Sequence, residues 1–308
     1  MKIKLSAIAL SVSLAFASQF AAATPTVTIS QSGTGNTAAA EQSGFVPEAE
    51  VVATITQVGT DNHVGGPGGT TGGIVQYGPG DRAISTVSQT GTGNNAGIVQ
   101  GDIGFMGAIV RITQTGNANT GTVRQERIGG SGTTIVQNGT GNVAAIEQTD
   151  SGDADGQIRQ NGNNNSATIV QRGLGVEYGP IVEQNGEGNT ASASMFNFGL
   201  GEHNIVQTGL RNNSQTYQAD GIGSSIQVQQ TGADNDAYAT QTGSFHVARI
   251  GQNGDLNVGS IGQTGANDDA RITQIGNRNN ATIRQVGDGF TSSISQIGSG
   301  NYANVYQH

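Results

Sequence analysis

A chain of 308 residues with 50 glycines, 5% aromatic and 11% charged residues lacks the material for the thick apolar core of an ordinary globular domain, in which about 25% of residues are charged. A net charge of −9 disfavours nucleic acid and anionic membrane surfaces as partners. With no cysteine, the chain is not a disulfide scaffold.

The first element in chain order is a secretory signal. Lys2 and Lys4 form a basic start, residues 8–20 are mostly apolar or small, and Ala21-Ala22-Ala23 offers a cleavage site. Residues 1–23 are therefore read as a signal peptide. The apolar stretch is short of the ~20 residues a membrane helix needs.

From 24 to 308 the chain is repetitive. The string Q-x-G-x-x-N occurs twelve times, starting at Gln31, Gln57, Gln89, Gln114, Gln137, Gln160, Gln184, Gln207, Gln230, Gln252, Gln274 and Gln296. Early starts lie 26, 32 and 25 residues apart and later ones 22–24. Ile or Val stands two residues before each of these glutamines. A small residue or Val stands two after each Asn, and in ten repeats a second Gln follows eleven residues after the first. Met195 replaces that second Gln in the seventh repeat. In the second, a Gly-rich stretch at about 64–73 reads as an insertion loop, with Gln76 in the position of the second Gln.

Both halves of the unit alternate with period two, Ile-x-Gln-x-Gly and Asn-x-Ala-x-Ile-x-Gln, and Gly and Asn lie between them. The unit is strand, turn, strand. A helix needs a period of 3.6 and does not tolerate this glycine content. No charged residue falls on the periodic positions, as expected of a face from which water is excluded. Charged residues such as Arg111, Arg124, Glu147, Arg159, Asp268 and Arg284 are expected to face outward or lie in turns.

One such unit cannot cover its own inner face, so repeats must stack. The expected fold is an all-β solenoid of twelve strand-turn-strand repeats. Ile29, Ile112, Ile135, Ile158, Ile272 and Ile294 would line a dry stripe. Ladders of stacked amides would come from Gln31, Gln89, Gln114, Gln137, Gln160, Gln230, Gln274 and Gln296, and from Gln148, Gln171, Gln285 and Gln307. Asn36, Asn94, Asn119, Asn142, Asn165, Asn235, Asn279 and Asn301 would form a third ladder. In register each buried amide meets the same amide next door.

The pattern Q-x-G-x-x-N-x-A-x-x-x-Q, seen from Gln31 to Gln42 and from Gln137 to Gln148, resembles the curlin repeat of curli fibre subunits. The resemblance spans nearly all of the chain beyond the signal. It implies a secreted subunit that polymerises outside the cell into a cell-surface, pilus-like biofilm amyloid. It also implies a nucleator subunit, an outer-membrane secretion pore and periplasmic accessory proteins as partners. The first repeat starts at about Thr26 and only His308 follows Gln307, so uncapped ends and head-to-tail homopolymerisation are expected. A monomeric surface solenoid, such as an adhesin or an ice-binding protein, is the alternative.

No cofactor, metal, nucleic acid or small-molecule substrate is expected, and no catalytic residue is assigned. G-x-G-x-x-A recurs at Gly33, Gly91, Gly139, Gly186 and Gly298, each time before a strand pattern, which a phosphate loop does not do. Asp153 and Asp155 lack the Glu that closes a calcium loop. His63, His203, His246 and His308 have no metal-ligand spacing and read as surface histidines.

Overall fold

The computed structural model describes residues 25–46, 49–65, 73–80, 82–104, 106–173 and 179–308. The signal segment and most of the insertion at 64–73 lie outside them. Every regular element among the described residues is a β-strand. The chain forms a β-solenoid of about twelve rungs, divided into two compact units, Met1–Ala144 and Ala145–His308.

Each repeat is one rung made of two strands, a first arc and a second arc. A strand pairs with its equivalent in the next rung, and all these pairings are parallel and in register. In the first unit Ile29 pairs with Ile55, Ile55 with Val87, Val87 with Ile112 and Ile112 with Ile135. In the second unit Gln157–Asn163 of the first arc pairs with Ile181–Glu187, and the register runs on to Thr291–Ile297. Its second arc runs from Ser166–Arg172 to Tyr302–Gln307. Register is forced because a slip of one residue would carry every inward Ile to the solvent face.

The inward faces of the two arcs meet to form the core. Ile112, Ile135, Ile158 and Ile272 are fully buried, and Ile294 nearly so. Each such side chain contributes roughly 1.5–3 kcal/mol over its exposed state. Ile29, in the first described rung, is half-buried. The first unit carries an additional apolar cluster of Ala49, Val51, Ala83, Ile103, Ala108 and Ile128, with Phe45 packed against it. This cluster accounts for part of the longer early repeats, whose first arcs extend further towards their N-terminal ends.

The corner after the first arc explains why one glycine recurs in every repeat and another does not. The Gly two residues after the first-arc Gln has φ between 109° and 131° in all twelve repeats. A Cβ at Gly186 would overlap the carbonyl oxygen of Gly209 on the next rung. Two residues later φ is 50–72°, the left-handed helical region, and Asp61, Ala118, Asn164, Arg211, Asp234, Leu256 and Arg278 occupy it beside glycines. An L-residue enters that region at roughly 1–2 kcal/mol. The turn is therefore not confined to Gly and Asn, as the repeat pattern alone suggested.

Candidate functional site

The expected amide residues lie in three rows through the core. In the first-arc row each Gln Nε2 donates to the Gln Oε1 of the next rung. The bonds are 2.6 Å from Gln31 to Gln57, then 2.8 Å from Gln57 to Gln89, Gln89 to Gln114 and Gln114 to Gln137. In the second unit the same bond joins Gln160, Gln184, Gln207, Gln230, Gln252, Gln274 and Gln296 in turn, at 2.8–2.9 Å. The other Nε2 proton crosses the core to a backbone carbonyl of the second arc, as from Gln207 to Thr190 and Gln274 to Val258, both 2.9 Å. The glutamine thus ties neighbouring rungs and the two arcs together.

The asparagine row runs the opposite way. Each Nδ2 donates to the Oδ1 of the preceding rung, as from Asn119 to Asn94, Asn189 to Asn165 and Asn279 to Asn257, each 3.0 Å. The same oxygen also accepts the backbone N–H of the Asn one rung on, at 3.1 Å from Asn119 to Asn94. The second Nδ2 proton goes to the corner glycine carbonyl of the next rung, at 2.9 Å from Asn119 to Gly139. Acceptor and donors are all used, so the fully buried asparagines of this row, such as Asn119, carry no unpaired polar atom.

The second-arc glutamine row contains Gln76, which accepts from Gln42 at 2.8 Å and donates to Gln100 at 2.9 Å across the insertion. Gln148 donates to Gln171 at 2.7 Å. Beyond Met195 the row resumes from Gln218 through Gln241, Gln263 and Gln285 to Gln307, at 2.8–3.0 Å. At Met195 two atoms are left without partners, Nε2 of Gln171 and Oε1 of Gln218. They are the donor and the acceptor that a Gln at 195 would have joined.

A fourth column had no signal in the repeat pattern because its residues differ. Ser224, His246, Asp268 and Phe290 follow the second-arc strands on successive rungs. The backbone N–H of His246 donates to Ser224 Oγ at 2.9 Å, that of Asp268 to His246 Nδ1 at 3.4 Å, and that of Phe290 to Asp268 Oδ1 at 2.9 Å. What the first three share is an acceptor atom at one depth, the task Asn performs at the other corner.

Two sequence expectations are corrected here. His203 and His246 are not surface histidines, since both are fully buried. Asp268 lies in a turn, as expected, between Val258–Ala266 and Asp269–Ile275, but it is buried there, with Oδ2 3.4 Å from His246 Nδ1. His246 Nε2 lies 3.2 Å from the Thr242 carbonyl oxygen, which only accepts, so Nε2 carries the proton and Nδ1 is the acceptor. The sequence concealed these residues because period two marks strand faces and says little about corners. Among the described residues the remaining charges lie outside, several paired between adjacent rungs, as Arg211 with Asp234 at 2.7 Å and Arg172 with Glu147 at 2.8 Å. Among the described residues no three His, Cys, Asp or Glu side chains converge as metal ligands, and no helix is long and apolar enough to cross a membrane.

Parallel in-register rungs held by amide rows define a β-solenoid scaffold. The family model of the curlin associated repeat matches residues 248–276 and 276–308, two adjacent repeats near the C-terminal end of the chain. Over those residues the chain is similar to the curlin repeat. That family consists of structural, non-enzymatic proteins that are components of extracellular curli fibres. Comparison with curated proteins gives no match.

Proposed function

We propose that this chain is a structural subunit of a secreted, curli-like amyloid fibre of the biofilm matrix and that it assembles head-to-tail through its Gln, Asn and Ile/Val rows. The observation that carries this reading is the direction of the rows. Every rung offers glutamine Nε2 donors towards the C-terminal side and asparagine Nδ2 donors towards the N-terminal side. A rung from a second molecule continues both rows only if it stacks parallel and in the same sense. Antiparallel addition would set donor against donor, so the bonding pattern that joins repeats within a chain favours head-to-tail addition between chains.

A nucleator subunit, an outer-membrane pore and periplasmic accessory proteins are the partners this reading brings with it. Incubation of the purified chain should yield fibres with a ~4.7 Å cross-β reflection by electron microscopy and diffraction. The double variant Ile294→Lys, Val305→Asp places charges on the inward stripe of the last rung and should slow elongation several-fold while the other rungs fold. Undiminished growth by that variant, or a stable monomer of the parent chain at high concentration, refutes the reading.

A further inference from the structure

Several arginines on the outer surface stack on acids from rung to rung. Arg82 is the register partner of Glu50 and Arg159 that of Glu183, and Arg211 meets Asp234 one rung on. On the first arcs of two later rungs a cation stacks on a cation. Arg249 and Arg271 are register partners, and both are exposed. Neighbouring strands lie about 4.8 Å apart, and like charges directly opposite one another are destabilising. Asp269 Oδ1 stands 3.5 Å from Arg249 Nη1 and offsets one of the two charges. Among the described residues no acid pairs with Arg271.

Both arginines line a groove of about 610 Å³ on the outer face of the first arc, together with Gln229, Asn253 and Thr273. Among the described residues no acid lines it. Gly251 lies in it as well, in register between Gln229 and Thr273, so a side chain is missing between two rungs that carry one. A Cβ at Gly251 would meet nothing nearer than the Ile272 carbonyl oxygen at 4.0 Å. The fold therefore does not need glycine at this position, and what glycine provides there is space.

We propose that this groove binds a uronate of an acidic polysaccharide, its carboxylate held by Arg249 and Arg271 and its hydroxyls by the neutral polar side chains alongside. A guanidinium presents a planar fork of donors that matches a carboxylate, and one anion shared by the pair relieves their repulsion. Gln229, Asn253 and Thr273 supply neutral donors and acceptors, which sugar hydroxyls use and a bare anion does not. The net charge of −9 repels a polyanion at a distance. At physiological salt that repulsion is screened beyond about 8 Å, so contacts inside the groove decide the outcome. The groove lies on the outer face, so the single chain possesses it, and end-to-end stacking of rungs leaves it uncovered.

Tetragalacturonate is the probe, titrated calorimetrically into the full chain at about 0.15 M salt. Saturable binding is expected, and the fully methyl-esterified tetramer should not bind. Arg271→Gln should weaken binding about tenfold, the loss of one charge-assisted contact. Gly251→Gln fills the space with the side chain already present at Gln229, leaves the charge unchanged and should weaken binding by a similar factor. Arg284→Gln, on the second arc, should not alter it. No binding by the parent, equal binding of the ester, or an affinity unchanged by Gly251→Gln overturns the proposal. Equally tight binding of tetraglutamate or of a thymidylate tetramer means that charge alone is read, and overturns the assignment to a sugar. The comparison of acid with ester needs no variant, so a folding failure of either substitution does not shield the proposal.

Discussion

Within Ala145–His308 the two glutamine rows climb the same rungs under the same constraints, yet one is closed and the other is broken. The first-arc row passes from Gln160 to Gln296 without interruption. The second-arc row stops at Gln171 and starts again at Gln218. The backbone register does not shift at the break, since Met195 still pairs with Gln171 and Gln218. Amide rows therefore do not set the register here. Parallel strand pairing and inward aliphatic packing hold it, and the amides satisfy a buried polar position that those forces have already placed. What the break changes is local: a donor and an acceptor lose their partners, and a histidine occupies the neighbouring position.

The largest expected effect is on the broken side. Burial depresses the pKa of His203 from 6.5 to about 3. The unfolded chain takes up the proton that the folded chain refuses, so stability falls as pH drops through that window, by about 1.4 kcal/mol per unit. At the acid end the loss approaches about 5 kcal/mol. Denaturant titrations at pH 7 and pH 4 should give a smaller difference for His203→Ile than for the parent. Equal differences would show that the imidazole is not protected.

Next is the dryness both rows depend on. Ile158, one strand position away from the first row, is fully buried, whereas Arg159 beside it is exposed. Ile158→Lys should cost about 4 kcal/mol, and Arg159→Lys should stay within about 0.5 kcal/mol. Comparable midpoints in urea would show that the two faces are misassigned.

Breaking the intact row should cost less. Gln230 accepts from Gln207, donates to Gln252, and reaches the Asn213 carbonyl. Gln230→Leu strands those partners and should lose ~1–3 kcal/mol. If thermal and chemical stability do not move, the row contributes nothing beyond its shape.

The smallest effect is the repair. Met195→Gln should gain about 1 kcal/mol by giving Gln171 and Gln218 their bonds. A loss of stability would mean that the thioether's packing outweighs the restored pair.

Much of this was legible in the chain. Period two fixes which side chains share a face, so the inward Ile and the Gln and Asn positions could be read directly, and Gln76 could be placed across the insertion. The corners were harder. Leu256 and Arg278 adopt a left-handed conformation that their identity does not announce, because strand pairing on both sides over-determines it. Ser224, His246 and Asp268 share a task while sharing no residue type, so no string search could group them.

By itself the sequence determined the repeat, its two strands, the inward and outward faces and the kind of residue each row contains. It could do so because these are local properties of alternation and of glycine at one sterically closed corner. The tertiary structure alone decided which atoms of neighbouring rungs meet. Opposite donor directions in the Gln and Asn rows, the stranded amides around Met195 and the burial of His203, His246 and Asp268 all depend on residues about one repeat apart arriving at the same depth. That proximity comes from stacking, which no single repeat encodes.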